Sequence, residues 1–317
     1  MSDVSIQKQA VQTEGAVSEA LTRMKANRWR IDLAGFGFVL PFLILYILFL
    51  LWPIILGLRM SFFNWSLDGH GTNDFLAVAN YQEALSDPAF WSSLWHTLVF
   101  TLLSTPALVL VAFGLALLVN RAIPARGFFR TVFFAPFVLP VSVVVLIWNW
   151  LYQPGFGLIN GSLTALGLKE VNWLTDTNVA MIAIVLVTVW WTVGFNFVLY
   201  LAGMQQVPRE LYEASSIDGA GSWARTRWIT IPLLGRITSL IVILQVIASL
   251  QVFGQIYLLT SGGPNFSTRP IIQYIYQEGF TSFRIGLASA ISYLFFILVL
   301  IVSIGQFMLF QRERRNA

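Results

Sequence analysis

Residues 212–234, YEASSIDGAGSWARTRWITIPLL, place Glu213, Asp218, Arg225 and Arg227 around Gly219 and Gly221, between two long apolar runs. A second group is neutral. Trp190, Gly194 and Phe197 recur at i, i+4 and i+7 with Asn196 beside them. Gln245 and Ser249 lie one helical turn apart, with Gln251 and Gln255 following on another face. Flat aromatic faces and uncharged amides or hydroxyls are the groups that hold the C–H surfaces and hydroxyls of a sugar. The same residue types also pack helices together or face lipid. Covalent and metal chemistry have little support. His70 and His96 stand alone, there is no cysteine, and no His/Asp/Glu group has metal spacing. Neither GxSxG nor GxxxxGK[ST] occurs.

The elements that must position these residues belong to a membrane. Of 317 residues 57% are hydrophobic and only 11% charged, whereas soluble domains carry about a quarter charged residues. Uncharged apolar stretches near 33–58, 97–120, 130–152, 178–203, 237–259 and 285–311 each supply the roughly 20 residues a helix needs to cross the hydrocarbon. The expected fold is all-α and polytopic, with six transmembrane helices. Kinks are expected at Pro41, Pro53, Pro106, Pro136 and Pro140. The span interiors carry no acidic or basic residue, which argues against a proton-coupled transporter. Sodium coupling through backbone carbonyls stays open.

Fifteen of the nineteen basic residues fall on one side: the tail 1–30, the 121–130 connection, the 209–236 segment and the C-terminal residues 312–317. The positive-inside rule makes that side cytoplasmic, termini included. The first apolar run is too long for a cleaved signal and is expected to remain as an anchor. The basic residues flank spans and do not cluster with aromatics, so nucleic acid is not an expected partner. Among external connections, 59–96 is expected to hold a short amphipathic helix near NYQEAL, and 153–177 is rich in turn residues.

Within the cytoplasmic loop 204–235, Pro208 suits a helix start and Glu210 and Glu213 complement the dipole of the first turns. Leu211, Ala214, Ser215 and Asp218 follow i, i+3, i+4, i+7, a face dominated by small residues. Gly219 and Gly221 end the helix, and a second helix starts at WARTRW and bends at Pro232. On periodicity alone this is an interfacial helix. The pattern Glu213-Ala214-Ser215, three residues, Gly219, nine residues, Ile229-Thr230-Ile231-Pro232 resembles the EAA loop of permease subunits of ATP-binding-cassette importers, E-A-A-x3-G-x9-I-x-L-P. Ser215 and Ile231 depart from it by small changes of volume.

That resemblance implies a type I importer fold, with the domain spanning 31–311 and a coupling helix seated on an ATPase subunit. Glu213, Ala214, Ser215, Asp218, Gly219, Ala220, Ile229 and Pro232 would form the ATPase-coupling site, Glu213 pairing with a basic group. The chain would need no cofactor of its own, ATP being used by the partner. Implied partners are a second permease, two copies of the ATPase and an extracytoplasmic solute-binding protein. Residues 255–280, QIYLLTSGGPNFSTRPIIQYIYQEGF, resemble the segment after the fifth core helix of maltose- and glycerol-phosphate-type carbohydrate permeases. WLYQPGFGLIN at 150–160 and NWL at 172–174 are similar in kind, and the resemblance is to the maltose-permease-F-like branch. It implies that Gly194, Phe197, Gln245 and Ser249 lie at or near sugar-contacting positions, whereas Val252 replaces a polar residue there. Trp190, Asn196 and Gln251 complete the candidate pathway. The expected function is import of a sugar or oligosaccharide. A permease for glycerol phosphate or another polar solute, a stand-alone secondary transporter and a docking scaffold are the alternatives.

Overall fold

The computed structural model describes residues 36–66, 73–120 and 126–316, with side chains to 311. The expected N-terminal tail 1–30, the start of the first span, His70 and Arg121 lie outside the described residues.

The described residues fall into two units, divided between Arg59 and Met60. In the first, α1 (Phe36–Met60, running one residue past the boundary) is a long apolar helix containing a π turn at Ile47–Leu51.

The second unit contains α2 (Ala79–Ser86), α3 (Pro88–Asn120), α4 (Arg126–Val138), α5 (Val141–Leu151), α6 (Leu158–Ala165), α7 (Ala180–Met204), α8 (Arg209–Ile217), α9 (Ser222–Leu233), α10 (Gly235–Leu250), α11 (Gly254–Thr260), α12 (Ile271–Tyr276) and α13 (Ile285–Asn316). Counted with α1, the helices α3, α7 and α13 are long and apolar enough to span alone. The pairs α4–α5 and α9–α10 bring the count to six if each is one span. No strand occurs among the described residues beyond one isolated bridge, Phe63 to Phe75.

Proline acts unevenly. α3 runs unbroken through Pro106 and α4 through Pro136. At Pro140 the chain turns by 101° between α4 and α5, because proline lacks an N–H and its predecessor avoids helical geometry. The carbonyl of Leu139 freed there accepts a bond from Trp191 Nε1 of α7, at 3.1 Å, as buried backbone in a membrane requires. The fifth span also differs from the continuous run expected over 237–259. It divides after Leu250, and Gln251–Phe253 separate α10 from α11.

Small residues let helices approach closely. Ala112 and Ala116 of α3 are fully buried with Phe197, Tyr200 and Leu201 of α7 and Leu234 and Ile241 of the fifth span. A second core joins Phe100, Val144, Ile184, Val252 and Ile256. A third joins Phe90, Leu94, Leu250, Ile271, Tyr274 and Ile291.

The segment between α11 and α13 is strapped to the start of α3. Arg269 is buried, donates from Nε to Ser93 Oγ at 3.1 Å, and lies over the rings of Phe266 and Tyr274. Ile271 N donates to Thr97 Oγ1 at 2.9 Å, and the Tyr274 phenol donates to Asp87 Oδ2. Arg284 pairs with Glu83 at 2.5 Å and with Glu278 at 3.8 Å. Burial pulls the Arg269 guanidinium below its ordinary range, with Tyr274, Asp87 and Glu278 opposing. It also pushes the Glu278 carboxyl above the usual carboxylate range, against the pull of Arg284.

Candidate functional site

A cavity of about 270 Å³ lies between α3, α4, α7, α10 and α11. Its polar groups are Thr188, Thr192, Asn196, Gln245, Ser249 and Gln255; Phe100, Phe137 and Phe195 supply aromatic walls. Asn196 Nδ2 donates to Gln245 Oε1 at 3.0 Å, and Gln245 Nε2 donates to Ser249 Oγ at 3.2 Å. Ser249 Oγ and Ser104 Oγ share a bond of 3.0 Å. Four neutral side chains therefore form one chain from α7 through α10 to α3. Asn196 and Ser249 are each 2% exposed, so their orientation is held by partners rather than by water.

Of the seven candidate pathway residues, Asn196, Gln245 and Ser249 share this cavity. The other four do not line it. Trp190 faces a separate apolar cavity of about 560 Å³ with Trp148, Tyr152 and Trp173. Phe197 is buried against Phe133 in the helix core. Gly194 provides close approach, because a Cβ there would sit 2.5 Å from the Phe133 carbonyl oxygen. Gln251 is exposed just beyond α10. The i, i+4, i+7 spacing correctly put three residues on one helix without saying which neighbour that face meets.

Thr188 and Thr192 were missed as lining residues. The hydroxyls of Thr188 and Thr192 are spent on carbonyls one turn back, and threonine in an apolar run gave no distinct signal. Gln255 joins Gln245 because the helix breaks between them; on a continuous helix they would be on different faces.

The polar loop forms a braced pair, α8 and α9. Pro208 caps α8 in extended geometry. Asp218 N, Gly219 N and Ala220 N bond to the carbonyls of Ala214, Ser216 and Ser215. Gly219 has φ +77°, and the last two bonds around a left-handed residue make a Schellman end. The side that packs inward is Tyr212 and Ser215, and of the Leu211–Ala214–Ser215–Asp218 set only Ser215 turns away from solvent. Leu211, Glu213, Ala214, Asp218 and Gly219 are exposed, and Ser215 and Ala220 are half-buried. Tyr212 Oη bonds to Thr230 Oγ1 at 2.9 Å, and Arg225 Nη1 donates to Ser216 Oγ at 3.0 Å. Thr230 is buried and its neighbour Ile229 half-buried, while Pro232 occupies the exposed last turn of α9.

A third arrangement orders the connection before α7. Asn160 Oδ1 accepts from Val171 N at 3.0 Å and from Trp173 Nε1 at 3.1 Å, and Asn160 Nδ2 donates to Val171 O at 3.1 Å. The two stretches singled out as similar to carbohydrate permeases, 150–160 and 172–174, thus meet. Among the described residues no group of three or more His, Asp or Glu is placed to hold a metal ion.

Membrane-crossing helices around a neutral polar cavity, with a hydrogen-bonded two-helix projection, suit a membrane transport subunit. The chain belongs to the family of binding-protein-dependent transport system inner membrane components, whose model matches residues 75–315. It is 35% identical over 263 residues to the sulfoquinovosyl glycerol transport system permease protein SmoG of Agrobacterium fabrum, covering 83% of this chain and 85% of that one. It is likewise 35% identical over 270 residues to the trehalose/maltose transport system permease protein MalF of Thermococcus litoralis, covering 84% and 90%. A solved bacterial ABC transporter involved in import of the acidic polysaccharide alginate has the same fold. Its TM-score is 0.78 at 23% identity, covering 89% of this chain and 96% of that one. The protein is a permease subunit of a binding-protein-dependent ABC importer, which works with a second permease and with ATPase subunits.

Proposed function

We propose that the chain carries a sugar or short oligosaccharide, and that the Asn196–Gln245–Ser249–Ser104 chain forms part of the passage. The observation that carries this reading is the cavity itself. Its hydrogen-bonding groups are all neutral, and they stand beside three phenylalanine rings. Sugar hydroxyls exchange bonds with amides and hydroxyls, while ring C–H surfaces lie on aromatic faces. About 270 Å³ is just below the range of ligand sites, about 300 Å³ and upward, as suits half of a passage shared by two permeases. The names of the two relatives, one for sulfoquinovosyl glycerol and one for trehalose/maltose, support the sugar class.

In this reading α8 is the coupling helix. Glu213, Ala214, Asp218 and Gly219 present an exposed surface to a cytoplasmic ATPase, and both termini share that side. The chain neither binds nor cleaves ATP; the partner does. Closure of the ATPase pair moves α8, and the Tyr212–Thr230 and Arg225–Ser216 bonds pass the motion through α9 into the fifth span.

Proteoliposomes containing both permeases, the ATPase and the solute-binding protein test the reading. ATP-driven uptake of a labelled disaccharide or glycosyl glycerol, competed by unlabelled sugars, is expected. Gradient-driven flux through this chain alone would contradict it.

A further inference from the structure

The coupling proposed above seats the ATPase on α8 and leaves one face of α9 unassigned. Its axis meets that of α10 at 65°. With α10 crossing the bilayer, α9 lies nearer the membrane plane than its normal. The back of α9 is occupied: Arg225 bonds Ser216, Thr230 bonds Tyr212, and both Thr230 and Leu234 are buried. The opposite side is bare. Trp223 is 77% and Trp228 72% exposed, and Arg227 and Ile231 are exposed with them. The π turn at Thr226–Thr230 supplies one more residue to the turn, and Trp223, Arg227 and Ile231, four apart, fall in one row. The Arg227 guanidinium lies 4.9 Å over the Trp228 ring.

We propose that the exposed surface of Trp223, Arg227, Trp228 and Ile231 is an interfacial anchor that binds phosphate headgroups of anionic lipids. The leaflet is the cytoplasmic one if the orientation proposed above holds; the lipid chemistry does not depend on it. Indole rings settle at the headgroup level, where one edge is apolar and the other polar. A helix in that plane, with aromatic and aliphatic side chains beside a cation, is built for the boundary. Charge favours the same occupant. Between Gly219 and Gln277 the chain has no acidic residue, so nothing on α9 neutralises Arg227 or the exposed Arg236 that follows. Anchored in this way, α9 holds α8 at a fixed depth below the bilayer.

The chain has no cysteine, so Trp223→Cys and Ile217→Cys each give one labelling site in it for an environment-sensitive fluorophore. The whole importer is reconstituted in phosphatidylcholine, with or without added phosphatidylglycerol, and nitroxide-headgroup lipid is the quencher. A label at 223 is expected to be quenched several-fold more than one at 217, which lies at the exposed tip of α8. Arg227→Gln, with all tryptophans in place, is expected to lose about fivefold of the preference for phosphatidylglycerol, from the attraction of one basic residue to an anionic surface. Arg227→Lys should keep most of it. Equal quenching at the two positions, shielding of 223 by the ATPase instead of access to lipid, or no lipid preference to lose would overturn the proposal. The quenching does not depend on transport, so a complex without ATP-driven uptake would contradict the coupling reading while leaving this one standing.

Discussion

The phenol of Tyr212 and the hydroxyl of Thr230 share a hydrogen bond of 2.9 Å across the turn between α8 and α9. Thr230 is buried, and Leu234 four residues on is part of the helix core. The exposed helix is thereby tied to the bundle at its middle as well as through its backbone.

Tyr212→Phe keeps the ring and removes that bond. A net hydrogen bond contributes about 1 kcal/mol, so a roughly fivefold fall in transport per ATP hydrolysed is expected, with assembly retained. Parallel assays of uptake and phosphate release in the reconstituted complex measure that ratio.

Gly219→Val forces a β-branched residue into φ +77°, at a cost of about 1–2 kcal/mol or more. The end of α8 should fray and the ATPase should co-elute poorly, while membrane insertion is unchanged. Gly219→Asn, which tolerates that geometry, should retain more of the partner. Glu213→Lys should also uncouple transport without affecting insertion.

Asn196→Leu leaves Gln245 Oε1, half-buried beside the cavity, without its donor. A loss of about 1–3 kcal/mol follows, seen as weakened sugar transport at constant expression. Trp190→Phe, in the separate apolar cavity, should leave sugar selectivity where it is. Competition uptake assays with both variants decide whether the passage runs by Asn196 or by Trp190.

The strap around Arg269 should respond to pH. Burial raises the Glu278 carboxyl in the folded protein, so in the window between its unfolded and folded values the folded form holds more proton. Stability then increases as pH falls through that window and decreases as pH rises. Hydrogen exchange of 271–284 across mildly acidic pH should show this protection, and Glu278→Gln should flatten it.

The all-α, membrane-crossing character was legible because composition and length decide membrane crossing, and α13 begins where the last apolar run does, at 285. The short helix at NYQEAL and the end of α8 at Gly219 were legible from local turn chemistry. Proline was less informative. Pro106 and Pro140 look alike in sequence, yet only Pro140 breaks its span, where Trp191 is placed to satisfy the freed carbonyl. Which face of α7 meets the cavity depends on its neighbours: Gly194 is used by the backbone of α4 and Phe197 by the core, leaving Asn196. The strap around Arg269 was invisible because its contacts join residues 93 and 97 to 269 and 271.

In the proposed coupling, α8 passes force from an ATPase. A photocrosslinker at Ile217, the exposed tip of α8, examined in the assembled complex with and without ATP, tests that directly. The expected result is a strong adduct with the nucleotide-hydrolysing subunit whose yield changes when ATP closes the pair. An adduct with lipid alone, or one indifferent to the ATPase and its nucleotide, would contradict it.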